Sequence, residues 1–246
     1  MSKPSGAIDM TQGKPINLML RFALPMMIGS IFQSLYSMVD SAVLGRFVGS
    51  HALAAIGATT STTGLILLLA TGVTSAISIV LSQYVGANDT DRVRKGIVAS
   101  GWITLLLGIV LGLISVFAAR PLMQLLKTPE DVIDMSVLYI QIVCGCGIAQ
   151  FAYNAAASIL RALGDSKTPL YFLILCSILN VILDLISVIG LNMGVAGVAV
   201  ATVGSQAISA AICILVMFRK YPDLMPKRHT LRPDMPVSLK IFGMGA

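Results

Sequence analysis

The chain has 246 residues, of which 56% are hydrophobic and only 11% are charged. A soluble domain carries about 25% charged residues, so this composition excludes a water-facing globular protein. The net charge of +6 would suggest nucleic acid as a partner of a soluble protein. Here the basic residues lie between long apolar runs, so we expect them to set membrane topology and contact anionic lipid, with no nucleic-acid partner.

Six apolar segments are long enough to cross a bilayer as helices. About 20 helical residues span the hydrocarbon layer, and the sequence lacks the period-two alternation of a membrane β-strand. The predicted spans are residues 16–39, 52–81, 97–119, 132–160, 170–189 and 195–218. The predicted fold class is therefore an all-α integral membrane protein, built as a six-transmembrane-helix bundle.

The basic residues are distributed unevenly between alternate loops. Fourteen of the seventeen lie on the side that holds both ends of the chain, and the opposite side has only Arg46, Arg120 and Lys127. Loops rich in Lys and Arg stay in the cytoplasm. We therefore expect a multi-pass protein of the cytoplasmic (plasma) membrane, with both termini in the cytoplasm.

No motif of an enzyme is present in the sequence. It lacks G-x-S-x-G, H-E-x-x-H and a Gly-Lys nucleotide loop, and no histidine lies within a predicted span. The cysteines Cys144, Cys146, Cys176 and Cys213 all fall in apolar segments without metal-type spacing, so we interpret them as small packing residues. We expect a protein that is not an enzyme and that uses no cofactor.

The last part of the chain predicts a linker followed by the start of another span. Residues 221–236 are polar and contain proline, and residues 237–246 resemble the approach to the first span. We interpret residues 1–220 as an N-terminal six-helix lobe, 221–236 as a cytoplasmic interlobe linker and 237–246 as the start of a seventh helix in a truncated second lobe. Internal repeats are common in secondary transporters.

Two acids, Asp40 and Asp184, lie in or beside apolar spans, where an acid costs about 2.5–3.5 kcal/mol on insertion scales. Each follows a proline, Pro25 or Pro169, by fifteen residues, so each lies roughly 22 Å beyond it in a helix of the same direction. They can meet only if the first and fifth spans are neighbours. Because no Lys or Arg lies in the spans at this depth, the acids must be protonated, bind a cation or contact water.

Other polar residues occur at compatible depths. Asn180 lies one turn before Asp184, and Thr202 reaches a similar level in the sixth span. Carboxylate, amide and hydroxyl oxygens suit a hard cation such as Na⁺, and carboxylates can also hold a proton. The alternatives are an interfacial position for Asp40, a structural role for Asp184, and ordinary helix packing for Asn180 and Thr202.

Several stretches of the chain resemble the multidrug and toxic compound extrusion (MATE) family. They are Ala23-Leu-Pro25, Gln33-Ser-Leu-Tyr36-Ser-Met-Val-Asp40, Gln83-Tyr-Val-Gly86, Leu160-Arg-Ala-Leu-Gly164-Asp-Ser-Lys-Thr-Pro169, Asn180-Val-Ile-Leu-Asp184 and Gly194-Val-Ala-Gly197-Val-Ala-Val-Ala-Thr202. The resemblance covers essentially the whole chain. It implies one lobe of a twelve-helix MATE-type transporter, in which two six-helix lobes surround a central cavity.

The resemblance, which is to the DinF-like branch, also implies roles for particular residues. It implies a cation or proton site, with a possible Na⁺, at Asp40, Asn180, Asp184 and Thr202. It implies a substrate cavity lined by Gln33, Tyr36 and Asn154. It implies a hinge in the first helix at Pro25.

These observations together predict a cation-coupled (H⁺ or Na⁺) antiporter that exports amphipathic, often cationic drugs or toxins. Its partners would be the small-molecule substrate, membrane lipid and a second six-helix lobe. One alternative is a flippase for lipid-linked precursors or polysaccharides in the same superfamily. Others are a half-size, non-transporting module that needs a partner, and a membrane-embedded enzyme. The length leaves open a truncated gene, a fragment and a half-size homodimer.

Overall fold

The computed structural model describes residues 15–226 and 234–245, and these residues contain helices but no strand. The helices are α1 (Pro15–Phe47), α2 (Ser50–Gly86), α3 (Thr90–Leu125), α4 (Glu130–Gly145), α5 (Ile148–Ala162), α6 (Lys167–Asp184), α7 (Gly194–Lys220) and α8 (Met235–Gly245). A π-helical segment, Leu185–Gly190, extends α6, and a 3₁₀ turn, Pro222–Leu224, follows α7. The predicted all-α bundle is confirmed, with α4 and α5 forming one bent unit.

Several helices of the described residues have the length and composition of membrane spans. Four qualify separately, namely α2, α3, α6 with its π-helical segment, and α7, and the bent pair α4–α5 makes a fifth. Helix α1 has 33 residues, about 50 Å at 1.5 Å per residue, which exceeds the hydrocarbon layer of about 30 Å. It packs along α6. Large apolar side chains such as Leu68, Phe117 and Leu215 are exposed, as expected for a surface that faces lipid tails.

Helix α1 ends later than the sequence predicts. The first span was expected to end at Val39, but the helix continues to Phe47. Asp40 therefore lies inside a helix and not near its outer end, and Arg46 belongs to the last helical turn instead of a loop. A hydropathy-based span stops at the first charged residue, whereas the helix continues here because Leu44 is fully buried in a core cluster with side chains of α7.

The predicted fourth span, residues 132–160, corresponds to two helices, because the helix breaks in its middle. Helices α4 and α5 meet at 44°, with Cys146 and Gly147 between them. Gly147 is suited to this turn because a Cβ there would lie 2.9 Å from the carbonyl oxygen of Cys144. The break exposes Cys146, which therefore does not act as a packing residue, while the other three cysteines are buried.

Helix α3 passes close to this break through two glycines. A Cβ at Gly112 would lie 2.9 Å from the carbonyl oxygen of Gly145, and a Cβ at Gly108 would lie 3.0 Å from the Cα of Ile148. Small residues at membrane-helix interfaces allow backbones to approach closely. The contact between α3 and the α4–α5 bend is therefore made by backbone, with no room for a side chain.

We expect Gly112→Ala to lower the free energy of unfolding by about 1–3 kcal/mol, which is the usual cost of overpacking. Denaturant titration of the purified chain measures this loss. The matched control is Gly101→Ala, in the same helix, because nothing lies within 4 Å of a Cβ at Gly101. Equal losses in the two variants would show that the close approach at Gly112 does not limit stability.

The last described segment returns to the bundle. Helix α8 packs against α2 and α3, where Val237 and Ile241 are buried in the largest core cluster. Lys95 Nζ lies 2.9 Å from Asp234 Oδ2 and fixes the start of the helix. A helix thus occurs where the sequence places the start of a seventh one. Part of the predicted linker, residues 221–236, lies outside the described residues, and the division into lobes and linker stays a prediction.

Candidate functional site

Helices α1 and α6 lie side by side, and their packing brings Asp40 and Asp184 together. The two carboxyl groups are close enough to interact directly. Asp184 is 0% exposed, and Asp40 is half-buried. Yet neither oxygen of Asp184, nor Oδ1 of Asp40, has a hydrogen-bond partner, and no Lys, Arg or His of the described residues forms an ion pair with either acid.

Asn180 and Thr202 extend this acidic pair. Asn180 is 1% exposed, one helical turn before Asp184, and Thr202 on α7 is 6% exposed. The amide Nδ2 of Asn180 donates to Oγ1 of Thr202 over 3.5 Å, while Oδ1 of Asn180 has no partner. The four predicted cation-site residues therefore lie on the three adjacent helices α1, α6 and α7. Asp40, Asn180 and Asp184 present buried oxygen atoms that lack a donor, which is an arrangement that costs free energy unless a proton or cation completes it.

Two tyrosines complete the surroundings of the acids. Tyr36 lies one turn before Asp40 and interacts electrostatically with both acids. Tyr139 on α4 is also near Asp40, Tyr36 and Asp184. Tyr139 could not be identified from the sequence, because a tyrosine in an apolar span suggests packing or interface anchoring. Its position near the acids depends on how α4 packs in the bundle, where it contacts α7.

The backbone beyond Asp184 adopts a π-helical turn. The hydroxyl of Ser187 donates to the carbonyl oxygen of Leu183 over 2.7 Å and also approaches that of Asp184 at 3.3 Å. Turns of this type are frequent at functional sites. Hydrophobic periodicity gives no signal for a change from i+4 to i+5 hydrogen bonding, so the sequence did not predict this turn.

A polar cavity of about 130 Å³ lies between α1, α5 and α6. Both Pro25 and Pro169 line it, which places the two prolines at the same level of neighbouring helices. Gln33 also lines it. The predicted substrate residues are therefore distributed over separate places: Gln33 lies at this cavity, Tyr36 lies beside the acids, and Asn154 is half-buried on α5 without lining the cavity. The predicted hinge, Pro25, is buried within an uninterrupted α1.

A second groove of about 460 Å³ runs between α3, α5 and α7. Its lining is almost wholly apolar and includes Trp102, Ile159 and Phe218. Neither acid lines this groove, so we do not regard it as the site of ion chemistry.

Comparison with known proteins agrees with this architecture. The sequence model of the MatE family matches residues 25–186. The chain belongs to the MatE family. It is 34% identical over 205 residues to the probable multidrug resistance protein YpnP of Bacillus subtilis, a match that covers 82% of this chain and 46% of YpnP. The chain spans about half the length of the curated MatE relatives that it matches.

Solved MATE structures have the same fold in one of their halves. An outward-facing multidrug resistance MATE transporter superposes with a TM-score of 0.88 at 25% identity, covering 95% of this chain and 52% of that one. A MATE protein in the bent conformation gives a TM-score of 0.86, also at 25% identity, with the same coverage. The bundle is therefore one lobe, the N-terminal one, of a twelve-helix MATE-type transporter. MATE proteins are transporters, which is consistent with the prediction that the chain is not an enzyme.

Proposed function

We propose that this chain is the N-terminal lobe of a cation-coupled antiporter that exports amphipathic, often cationic drugs or toxins. The observation that carries the proposal is the buried pair Asp40 and Asp184, which has no basic partner among the described residues. The curated relative YpnP, described as a probable multidrug resistance protein, supports drugs as the exported class.

The chemistry of the pair favours a mobile cation. Two carboxylates in contact repel each other strongly in a medium of low dielectric constant, so they cannot both be charged without a counter-ion. A shared proton removes one charge. A Na⁺ ion would be held by the two carboxylates together with the oxygen atoms of Asn180 and Thr202, since hard cations prefer oxygen ligands. No other cofactor is part of the proposal.

Ion occupancy can bias the position of α1. With the cation bound, the carboxyl groups of Asp40 and Asp184 tolerate the close packing of α1 on α6. Without it, their repulsion favours separation of the two helices. Pro25 weakens α1 because proline removes one backbone hydrogen bond, so we propose it as the hinge. The ion can shift the equilibrium only by its difference in affinity for the two states.

The substrate would occupy the cavity between this lobe and a second six-helix lobe. Gln33 and Tyr36 on α1 and Asn154 on α5 are the proposed polar contacts. The acids beside Tyr36 provide negative charge, which suits a cationic substrate. We propose the plasma membrane as the location, with the lobe embedded in lipid and the end of the bundle that carries Arg94, Lys167 and Arg219 in the cytoplasm.

The proposed function can be tested in proteoliposomes that contain this chain together with the second lobe found in its relatives. We expect export of a cationic dye to require an inward gradient of Na⁺ or of protons, and imposing each gradient alone identifies the coupling ion. Liposomes without protein report passive leak. Export at full rate after both gradients are collapsed would exclude cation coupling.

A further inference from the structure

Among the described residues, one half-buried basic side chain, that of Arg161, has no acidic partner. Arg161, in the last turn of α5, is half-buried and lines the cavity of about 130 Å³ between α1, α5 and α6. Its Nη2 donates to Oγ of Ser158 over 3.2 Å. No carboxylate of the described residues lies within 4.0 Å of its guanidinium. A buried charge without a counter-ion is costly.

The nearest acid in the sequence cannot neutralise Arg161. Asp165 is 1% exposed, and its Oδ2 lies 2.6 Å from Lys220 Nζ and 2.6 Å from Oγ1 of Thr168. Its Oδ1 accepts the backbone N–H of Thr168 over 3.0 Å. The carboxylate of Asp165 is thus fully engaged with other groups, and the charge of Arg161 stays uncompensated.

The rest of the cavity offers further hydrogen-bond donors. Ser166 is 4% exposed and lines the cavity, and its hydroxyl has no hydrogen-bond partner. The amide of Gln33 lies on the opposite wall, on α1. Helix α6 begins at Lys167, so the positive dipole end of an 18-residue helix is beside the cavity. Donors and positive charge predominate here, whereas the Asp40–Asp184 pair offers only acceptors.

We propose that this cavity binds a phosphate group, with Arg161 as the main ligand and the Ser166 hydroxyl as a second donor. A guanidinium forms paired hydrogen bonds with phosphate oxygens. Since one water occupies about 30 Å³ in the liquid, the cavity has space for about four such volumes, which suits a tetrahedral anion. The site is separate from the acids, since Asp40 lies roughly 10 Å beyond Gln33 along α1 and Asp184 lies roughly 27 Å beyond Ser166 along α6.

The phosphate can come from a lipid headgroup or from free phosphate, because the same donors recognise both. A bound phosphate would connect α1 to α5 and α6 beside Pro25 and Gly29, and it would therefore hold this part of α1 in place. The proposal does not depend on ion coupling, and its test uses no transport measurement.

The test is thermal melting of the purified chain in phosphatidylcholine nanodiscs, with phosphatidylglycerol in the bilayer or inorganic phosphate in solution. We expect at least one of the two to raise the melting temperature of the wild type. In Arg161→Gln the apparent affinity should fall about tenfold or more, because hydrogen bonds to charged groups are lost. The matched control is Arg219→Gln, which removes an exposed charge at the same end of the bundle and should respond like the wild type.

The outcomes distinguish a lipid headgroup from free phosphate as the source of the bound group, and they can contradict the proposed phosphate site. An Arg161-dependent response to phosphatidylglycerol alone identifies a lipid headgroup, and a response to inorganic phosphate identifies a free anion. No response in the wild type, or equal responses in Arg161→Gln and Arg219→Gln, overturns the proposal. If Arg161→Gln does not fold, Ser166→Ala replaces it: a weaker response supports the site, and an unchanged response overturns it.

Discussion

Replacing Asp184 by Asn is expected to abolish cation binding by the purified chain while preserving its fold. The amide has nearly the same shape as the carboxyl group but no charge, so the pair with Asp40 no longer requires a counter-ion. Because Asp184 has no hydrogen-bond partner to lose, the variant should be at least as stable as the wild type in the absence of the coupling ion.

Melting curves over a series of Na⁺ concentrations and pH values measure this effect. A ligand at 100 times its dissociation constant stabilises a protein by about 2.7 kcal/mol, so the wild-type melting temperature should rise with the coupling ion and that of Asp184→Asn should not. If Na⁺ is the ion, its effect should shrink as the pH is lowered, since protons compete for the same carboxylates.

Two further variants test whether the effect is specific to the buried pair of acids. Asp40→Asn should lose the ion response as fully as Asp184→Asn, because the two carboxyl groups act as one site. Asp134→Asn is the matched control, since Asp134 is an exposed acid 3.0 Å from Arg120 on the surface. A normal ion response in both Asp40→Asn and Asp184→Asn would remove the proposed site.

Lys220 on α7 pairs with Asp165 in the loop between α5 and α6. Among single substitutions in this loop and in the residues that contact it, Lys220→Met should cause the largest loss in the free energy of unfolding. Burial of the Asp165 carboxyl acts to raise its pKa, but hydrogen bonds from Lys220 and Thr168 outweigh this and hold the pKa below its ordinary value. Without Lys220, the carboxylate is buried with no counter-ion. Breaking a buried ion pair in this way costs about 3–5 kcal/mol.

The pH dependence of stability provides a second measurement on the same variant. A carboxylate with a lowered pKa contributes stability that is present above its unfolded-state pKa of about 3.9 and is lost as the pH falls through the folded-state value. The wild type should therefore lose this contribution in acid, whereas Lys220→Met lacks it already at neutral pH. The difference in free energy of unfolding between the wild type and Lys220→Met should therefore become smaller as the pH falls below about 4.

The control for this charge removal is Lys167→Met, in the same loop region but exposed. An exposed substitution of this kind changes stability by about 0.5 kcal/mol or less. Denaturant titration at neutral pH compares the variants. Similar stabilities for Lys220→Met and Lys167→Met would mean that the contact with Asp165 contributes little.

The sequence could predict that the two acids lie at the same depth, because helical rise converts residue number into depth. Pro25 and Pro169 line the same cavity, and fifteen residues later, at Asp40 and Asp184, the two helices again place side chains together. Absence of basic residues at that depth was also visible in the sequence. Which helices are neighbours was not, since apolar spans of similar composition carry little information about their partners.

Other features depend on contacts that a linear pattern does not show. Window-averaged hydropathy does not detect a two-residue break such as Cys146–Gly147 or the change of hydrogen bonding after Asp184. Lys220 and Asp165 are 55 residues apart and resemble ordinary loop charges until α6 and α7 pack. Tyr139 and Arg161 acquire their significance only from the side chains around them.

The packing of α8 against α2 and α3 has a consequence for how these helices can move. Its buried Val237 and Ile241 share one core with residues of α2, α3 and α5, so we expect α8 to move together with these helices. A displacement of α2 and α3 should therefore displace α8 as well, although α8 carries none of the predicted cation-site residues.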